Sequence, residues 1–190
     1  MQLSVFAVVL AAAAPPTAPG ACSLVDRDVV AAAQGTRVVS TKESRAKGPR
    51  VDRRACYYQA DPLARSVSLE WTSDSAPGGA RARWQETFHG EGGRERGKER
   101  GEEERPKTPP APVPGVGDEA FWVGNPASGA LYALAGSSFV RVSVGGPGTP
   151  DEKRERARKI ALRAVAAIPD AERGTKEPSR PDHASPHDLR

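Results

Sequence analysis

Residues 119–144, EAFWVGNPASGALYALAGSSFVRVSV, contain three strand-like segments in succession. The segments are EAFWVG, GALYALA and SSFVRVSV, separated by NPASG and by a tight turn near Gly136. In the third segment every second residue from Val140 to Val144 is valine, which is typical of a strand that buries one face. Because connections this short join antiparallel neighbours, the stretch predicts an antiparallel sheet.

The first half of the chain predicts a helix followed by three more strands. SLVDRDVVAAAQG, residues 23–35, has the spacing of a short helix with Gly35 at its C-terminal cap. In the third strand, SVSLEWT, the side chains of Val67, Leu69 and Trp71 point to one side, as in a half-buried strand. The predicted strands are TRVVST, RACYYQA and SVSLEWT, residues 36–41, 54–60 and 66–72.

Each half also ends in a predicted helix. GARARWQETFH places Ala80, Trp84 and Phe88 at i, i+4 and i+8, on one side of a short amphipathic helix. The last helix has a well-marked start, because Thr149 can cap it, a proline follows, and Glu152 completes a capping box.

These elements predict an α+β fold, with an antiparallel sheet of about six strands and three helices covering one face. A single domain is expected over residues 21–169. Residues 90–112 have no aromatic residue and no Val, Ile or Leu, so they predict a flexible insertion. Residues 170–190 predict a disordered tail for the same reason.

The N-terminus has the features of a secretory signal peptide. Residues 3–14 are an apolar run interrupted by Ser4 alone, and the run is shorter than the roughly 20 residues that a membrane span needs. Small residues precede Gly20, so cleavage after Gly20 would make residues 1–20 a signal peptide. The expected location is therefore periplasmic or extracellular.

Two fates are open to Cys22. A lipoprotein signal usually has leucine three residues before the modified cysteine, and this chain has Pro19 there. Cys22 and Cys56 are the two cysteines of the chain, and two cysteines in an exported protein readily form a disulfide. The disulfide is the favoured prediction. Lipid anchoring at Cys22, which would hold the protein at the membrane, is the alternative.

Composition limits the partners. The formal net charge is +4. Export of a mildly basic chain argues against nucleic acid, so an envelope component or a small ligand is expected. His183 and His187 lie near aspartates, but Pro186 opposes the helix that would align them as zinc ligands. The prediction is no metal and no cofactor.

Two glycine-rich motifs predict turns rather than nucleotide sites. GVGDEA, residues 115–120, matches a dinucleotide fingerprint, but coil precedes it and a strand follows. GGPGTPDE, residues 145–152, joins a strand to a helix, where Asp151 and Glu152 would repel phosphate from the helix N-terminus.

No catalytic residues are predicted. His89 is the one histidine before the tail, and nothing in its surroundings would orient the imidazole as a triad requires. Strand alternation cannot bury both members of a pair of neighbouring aromatic residues, such as Tyr57 and Tyr58. The member on the open face of the sheet either binds a ligand or, as is more common, packs under a loop. The main aromatic residues of the predicted sheet are Tyr57, Tyr58, Trp71, Trp122 and Tyr132.

The order of these motifs resembles a family of small exported bacterial domains of unknown function, many of them lipoproteins. The similar features are CSLVDRDVVAAAQG, the cysteine–aromatic run CYY, VPGVGDEAFWV, an aromatic hairpin and the terminal amphipathic helix. The resemblance covers Cys22 to Ile168 without the insertion. It implies a paired Cys22 and Cys56 and an extracytoplasmic location, and it assigns no catalytic residue.

The sequence therefore predicts an exported cell-envelope protein, a non-catalytic binding or accessory module whose ligand residues are unknown. The alternative is an exported enzyme of the hydrolase type that uses carboxylates or hydroxyls. A deep polar pocket with perturbed carboxylates would favour the enzyme, and a shallow sheet face with exposed aromatic residues would favour binding.

Overall fold

In a computed structural model that describes residues 19–90, 109–125 and 128–168, the chain forms an α+β fold around one antiparallel sheet. The strands are β1 (Arg37–Lys47), β2 (Val51–Asp61), β3 (Val67–Asp74), β4 (Ala111–Pro112), β5 (Glu119–Gly124), β6 (Gly129–Ala135) and β7 (Ser138–Val144). The helices are α1 (Arg27–Gln34), α2 (Gly79–Phe88) and α3 (Pro150–Ala167). The predicted fold class is confirmed, with seven strands in the described residues rather than six.

The strand order in the sheet is β1-β2-β3-β7-β6-β5-β4, and every neighbouring pair is antiparallel. The meander β1-β2-β3 and the meander β5-β6-β7 meet where β3 pairs with β7. In that register Glu70 lies opposite Arg141, and Arg141 lies opposite Tyr132 on β6. Paired residues share a face of the sheet, so this register decides which side chains can act together.

The main hydrophobic core lies between the sheet and the helices α1 and α3. The inward side chains of β3, Val67, Leu69 and Trp71, are at most 1% exposed, as their alternation predicts. Helix α3 buries one stripe on the same face, namely Ala157, Ile160, Ala161, Ala164 and Ile168. Helix α1 contacts α3 and closes this layer.

Helix α2 packs on the opposite face of the sheet, so the prediction that all helices cover one face is wrong. Its predicted stripe is correct, because Ala80 and Trp84 are fully buried and Phe88 packs beside them. Their partners include Leu134 and Phe139, which alternate with the residues that face α3. The strands β6 and β7 therefore carry apolar side chains on both faces.

The predicted helix ends are present. Gly35 follows α1 with a φ of 63°, a conformation that glycine adopts without strain. At the start of α3 the hydroxyl of Thr149 accepts from the amide of Glu152, and the Glu152 carboxylate accepts from the amide of Thr149. This reciprocal capping box fixes where the β7–α3 connection turns into the helix.

A disulfide joins Cys22 to Cys56, with Cα atoms 4.9 Å apart. It fastens a short 3₁₀ turn, Ala21–Ser23, onto the buried face of β2. The chain just before this turn is also held, since the carbonyl of Pro19 accepts from Arg54 at 2.9 Å. The last two residues of the predicted signal peptide, residues 1–20, thus belong to the described structure.

Two predicted boundaries change. Residues 90–112 were expected as one flexible insertion, but Ala111–Pro112 pair with β5 as the edge strand β4. Residues 91–108, the predicted tail 170–190 and the apolar run 3–14 lie outside the described residues. Within the described ranges, none of the helices has the length and apolar character needed to cross a membrane.

Candidate functional site

The face of the sheet opposite α1 and α3, called here the open face, is only partly covered by α2. Between α2 and the β1–β2 hairpin lies a groove with a volume of about 550 Å³. This volume falls within the range of small-molecule sites, roughly 300–1,000 Å³. The hairpin forms one wall, α2 forms the other, and β3, β7 and β6 provide the floor.

Backbone contacts hold the two walls together. The carbonyl of Arg50, in the hairpin turn, accepts from the amides of Ser75 and Ala76 just before α2. A Cβ at Gly79 would lie 1.9 Å from the same Arg50 oxygen, so glycine is required for α2 to start this close to the turn. The hydroxyl of Ser75 also donates to the carbonyl of Gly48, at 2.7 Å. The position of α2 over the floor therefore depends on the hairpin turn.

Aromatic rings form the floor at the α2 side of the groove. Phe88, Tyr132 and Phe139 line it, and the rings of Phe88 and Tyr132 meet edge-on with centroids 5.3 Å apart. Behind them Trp84 packs against Phe139, with centroids 5.6 Å apart. These rings form a second, smaller hydrophobic cluster on the α2 side of the sheet, and part of it reaches the surface of the groove. Their flat apolar faces can contact a ligand.

The walls and the remaining floor are rich in cations. Five of the lining residues are cationic, namely Lys47, Arg50, Arg53, Arg83 and Arg141. Lys47 pairs with Asp52 on β2, so its side chain lies on the core face of the sheet and the other four cations face the groove. The Arg141 Nε–H donates to the Tyr132 hydroxyl at 3.0 Å, which fixes this guanidinium beside the aromatic floor. Neither Arg53 nor Arg141 forms an ion pair with a carboxylate of the described residues.

Two carboxylates offset part of this charge. Glu70 lies on the floor, in register with Arg141. Glu86 lies beside the groove and is 3.2 Å from Arg50 and 3.8 Å from Arg83. Four cations, Arg50, Arg53, Arg83 and Arg141, against two carboxylates leave two positive charges in excess. The two cations without an ion pair are Arg53 on the hairpin wall and Arg141 on the floor.

A second polar cluster lies near the C-terminal end of α2, and none of its members lines the groove. Glu119 accepts from the Trp84 indole at 2.6 Å and lies 2.9 Å from Nε2 of His89. Burial raises the pKa of Glu119, but the hydrogen bonds from His89 and Trp84 outweigh it and leave that pKa below its ordinary value. The cluster anchors the end of α2 to β5. The sequence indicated no partner that would orient the imidazole of His89, and in the structure Glu119 is that partner.

The residues singled out from sequence divide between core and surface. Tyr58, Trp71 and Trp122 are buried in the main core, Tyr57 is 40% exposed on the open face, and Tyr132 lines the groove. GVGDEA forms the turn before β5 and β5's first two residues, and the amide of Asp118 donates to the carbonyl of Leu134. His183 and His187 lie outside the described residues.

Sequence reasoning did not find the cations of the groove. Arg53 and Arg141 alternate with buried residues, as polar residues do on the outer face of any sheet, and nothing distinguishes them in one sequence. Two local features could have pointed to the hairpin wall. KGPR, residues 47–50, has the composition of a turn, and the charged runs on both sides of it are long enough for two strands.

Comparison with family models, with curated proteins and with solved structures finds no match. The resemblance to exported domains of unknown function therefore stays a prediction. Among the described residues no group of three or more histidine, cysteine, aspartate or glutamate side chains is arranged to hold a metal ion.

Proposed function

We propose that this chain is an exported, non-catalytic binding module and that the groove on the open face is its ligand site. The observation that carries the proposal is the groove itself, in which unpaired cations and aromatic rings line one concavity of about 550 Å³. Concave sites with apolar floors and a few fixed polar groups are the usual form of small-molecule sites.

The composition of the groove supports binding over hydrolysis. Glu70 is the one acidic side chain among the described residues that line it, whereas acid–base hydrolysis commonly uses a pair of carboxylates. His89, which follows α2, is oriented by its hydrogen bond to Glu119, and neither residue lines the groove. The threonine hydroxyl of Thr87, on the α2 wall, is engaged with the carbonyl of Arg83.

The proposed location is the cell envelope, outside the cytoplasm. The disulfide between Cys22 and Cys56 supports this, because such bonds persist mainly in oxidising compartments. The bond also uses the thiol that lipidation of Cys22 would require, so a soluble periplasmic or extracellular protein is favoured over a lipid-anchored one.

Fragment binding tests the position of the site. A set of neutral, anionic and cationic fragments, followed in amide NMR spectra of the full chain, should perturb signals of groove residues. Tryptophan at position 87 would fill the groove from the α2 wall, so Thr87→Trp should abolish these perturbations. Gln85→Trp adds the same bulk to α2 at an exposed position outside the groove lining and should leave them unchanged. Perturbations that cluster elsewhere, or that survive Thr87→Trp, would contradict the proposed site.

Fractionation of a bacterial host tests export. The full chain should be recovered outside the cytoplasm with Cys22 and Cys56 linked, as shown by mass spectrometry under non-reducing conditions. A chain lacking residues 2–18 keeps the contacts of Pro19 and should stay in the cytoplasm with free thiols. Acyl chains on Cys22, or free thiols in the exported fraction, would be evidence against the proposal.

A further inference from the structure

We infer that the groove takes a small organic anion in which one carboxylate is attached to a flat apolar ring. This inference rests on the proposed function, because it names the ligand class of the same site. It follows from where the cations and the aromatic rings lie relative to each other.

The charge of the groove selects for an anion. Two positive charges are in excess, and Arg53 on the hairpin wall has no carboxylate partner among the described residues. A guanidinium offers paired N–H donors whose spacing matches a carboxylate. An anion at this wall therefore gains hydrogen bonds without breaking an existing ion pair.

The aromatic rings lie across the floor from Arg53. Arg53 is on β2, whereas Phe139 and Tyr132 are on β7 and β6, two and three strands away. At about 4.8 Å per strand, this is a distance of roughly 10–14 Å, which suits a carboxylate with a fused ring system. Phe88 extends the apolar surface from the α2 side.

Arg141 lies beside the aromatic rings, on the same strand as Phe139. Its hydrogen bond to Tyr132 and its position 5.7 Å from the centre of that ring place a fixed positive charge beside the aromatic floor. Glu70, opposite Arg141 on β3, offsets that charge locally. The anionic group is therefore expected at Arg53, with the ring over Tyr132 and Phe139.

Four probes of matched shape test the ligand class by NMR titration of the full chain. Naphthalene-2-carboxylate carries ring and anion, naphthalene-2-carboxamide is its neutral counterpart, 2-naphthylmethylammonium is cationic, and acetate has the charge without the ring. We expect the naphthalene carboxylate to bind at least about tenfold more tightly than each of the other three, and its affinity to fall as salt is raised.

A pair of single variants tests the position of the anion. Arg53→Gln should weaken binding of the naphthalene carboxylate about tenfold and leave binding of the amide unchanged. Arg163→Gln removes the same charge from an exposed position of α3, on the other side of the sheet, and should change neither affinity.

The outcomes separate this inference from the proposed function. Equal binding of the carboxylate and the amide in the groove would show that the ligand need not be an anion. The proposed binding function would be unaffected by that result. If acetate binds as tightly as the naphthalene carboxylate, the claim that the ligand carries a ring is wrong. If none of the four probes binds, the inference is wrong, and the fragment screen decides separately whether the groove is a site.

Discussion

Removal of the disulfide is expected to lower the free energy of unfolding by about 3–4 kcal/mol. The variant is Cys22→Ser with Cys56→Ala, because Cys22 is partly exposed and Cys56 is fully buried. The bond spans 34 positions, and closing a loop of that length removes conformational entropy from the unfolded chain. For a chain of this length the melting temperature should fall by roughly 10 °C.

The position of the bond adds to its effect. It holds the 3₁₀ turn Ala21–Ser23 over β2 and β3, where Ala21 and Leu24 belong to the buried core. Without the bond this segment is kept in place by a few hydrogen bonds, among them the one from the Ala21 amide to Glu43 at 2.9 Å. We therefore expect the loss of the bond to expose the first core residues before the rest of the sheet unfolds.

Chemical reduction provides the matched control. Wild-type protein treated with a reductant lacks the bond but keeps both cysteines. It should unfold at the same denaturant concentration as the double variant. An untreated single variant, Cys22→Ser, should behave likewise. Mass spectrometry should show that both thiols of the reduced wild-type protein are free. If that protein retains its full stability, the loop-closure argument is wrong for this fold.

The arrangement of strands was predictable because most inward positions are apolar. The segments that became β5 and β6 match the structure residue for residue, and β3 and β7 lie within a residue or two of it. Short turns between consecutive strands left antiparallel pairing as the only arrangement. The start of α3 was predictable for a different reason, since capping is a local contact that Thr149 and Glu152 make with the nearby backbone.

The hairpin β1–β2 was predicted too short because its inward positions near the turn are charged. Asp52 and Arg54 face the same side as Cys56 and Tyr58, and both are buried. Hydropathy alternation fails at such positions, since a buried ion pair has the same sequence pattern as an exposed turn. The edge strand β4 was missed because it has two residues, one of them proline.

The placement of α2 on the open face could not be decided from its own sequence. An apolar stripe predicts that a helix packs, but it does not identify the face of the sheet that receives it. A clue lay in the strands instead. Phe121 and Phe139 alternate with the core residues Trp122 and Val140, so apolar side chains point to both faces.

The groove follows from that placement and from the strand register. Arg53 and Arg141 are separated by 88 positions in the chain and line one concavity because β3 pairs with both β2 and β7. Pairing of strands from different halves of the chain is a long-range property, and a single sequence carries no local pattern for it. The disulfide was predictable because only two cysteines were available to pair.

Asp52 is the centre of a buried ion cluster on β2, and its loss is expected to be among the most destabilising single changes. Its carboxylate accepts from Arg45 Nε at 3.1 Å and from Arg54 Nη2 at 3.0 Å. The Arg54 side chain is 7% exposed, and its guanidinium lies 4.5 Å from the centre of the Trp71 ring. Without Asp52, Arg54 would be a buried cation held only by the Pro19 carbonyl and the face of that ring.

Asp52→Asn is therefore expected to lower the free energy of unfolding at neutral pH by about 3 kcal/mol, measured by urea denaturation. Asp61→Asn is the matched control, because Asp61 lies on the same strand and forms an exposed pair with Arg37 at 3.7 Å. It should cost less than about 1 kcal/mol. A double variant, Asp52→Leu with Arg54→Met, should recover part of the loss, since it removes the unpaired charge along with its partner.

The dependence on pH distinguishes a charge effect from a packing effect. The hydrogen bond from Arg45 is the main cause that holds the pKa of Asp52 below its ordinary value. The hydrogen bond from Arg54 and the positive charge of Arg54 lower that pKa further. A carboxylate with a lowered folded-state pKa contributes its full stability above the unfolded pKa, about 3.9, and loses it as the pH falls through the folded-state pKa. The stability difference between wild type and Asp52→Asn should thus be constant at neutral and mildly acidic pH and shrink below about pH 4. A difference that persists unchanged at lower pH would mean that Asp52 stabilises the hairpin by its shape and not by its charge.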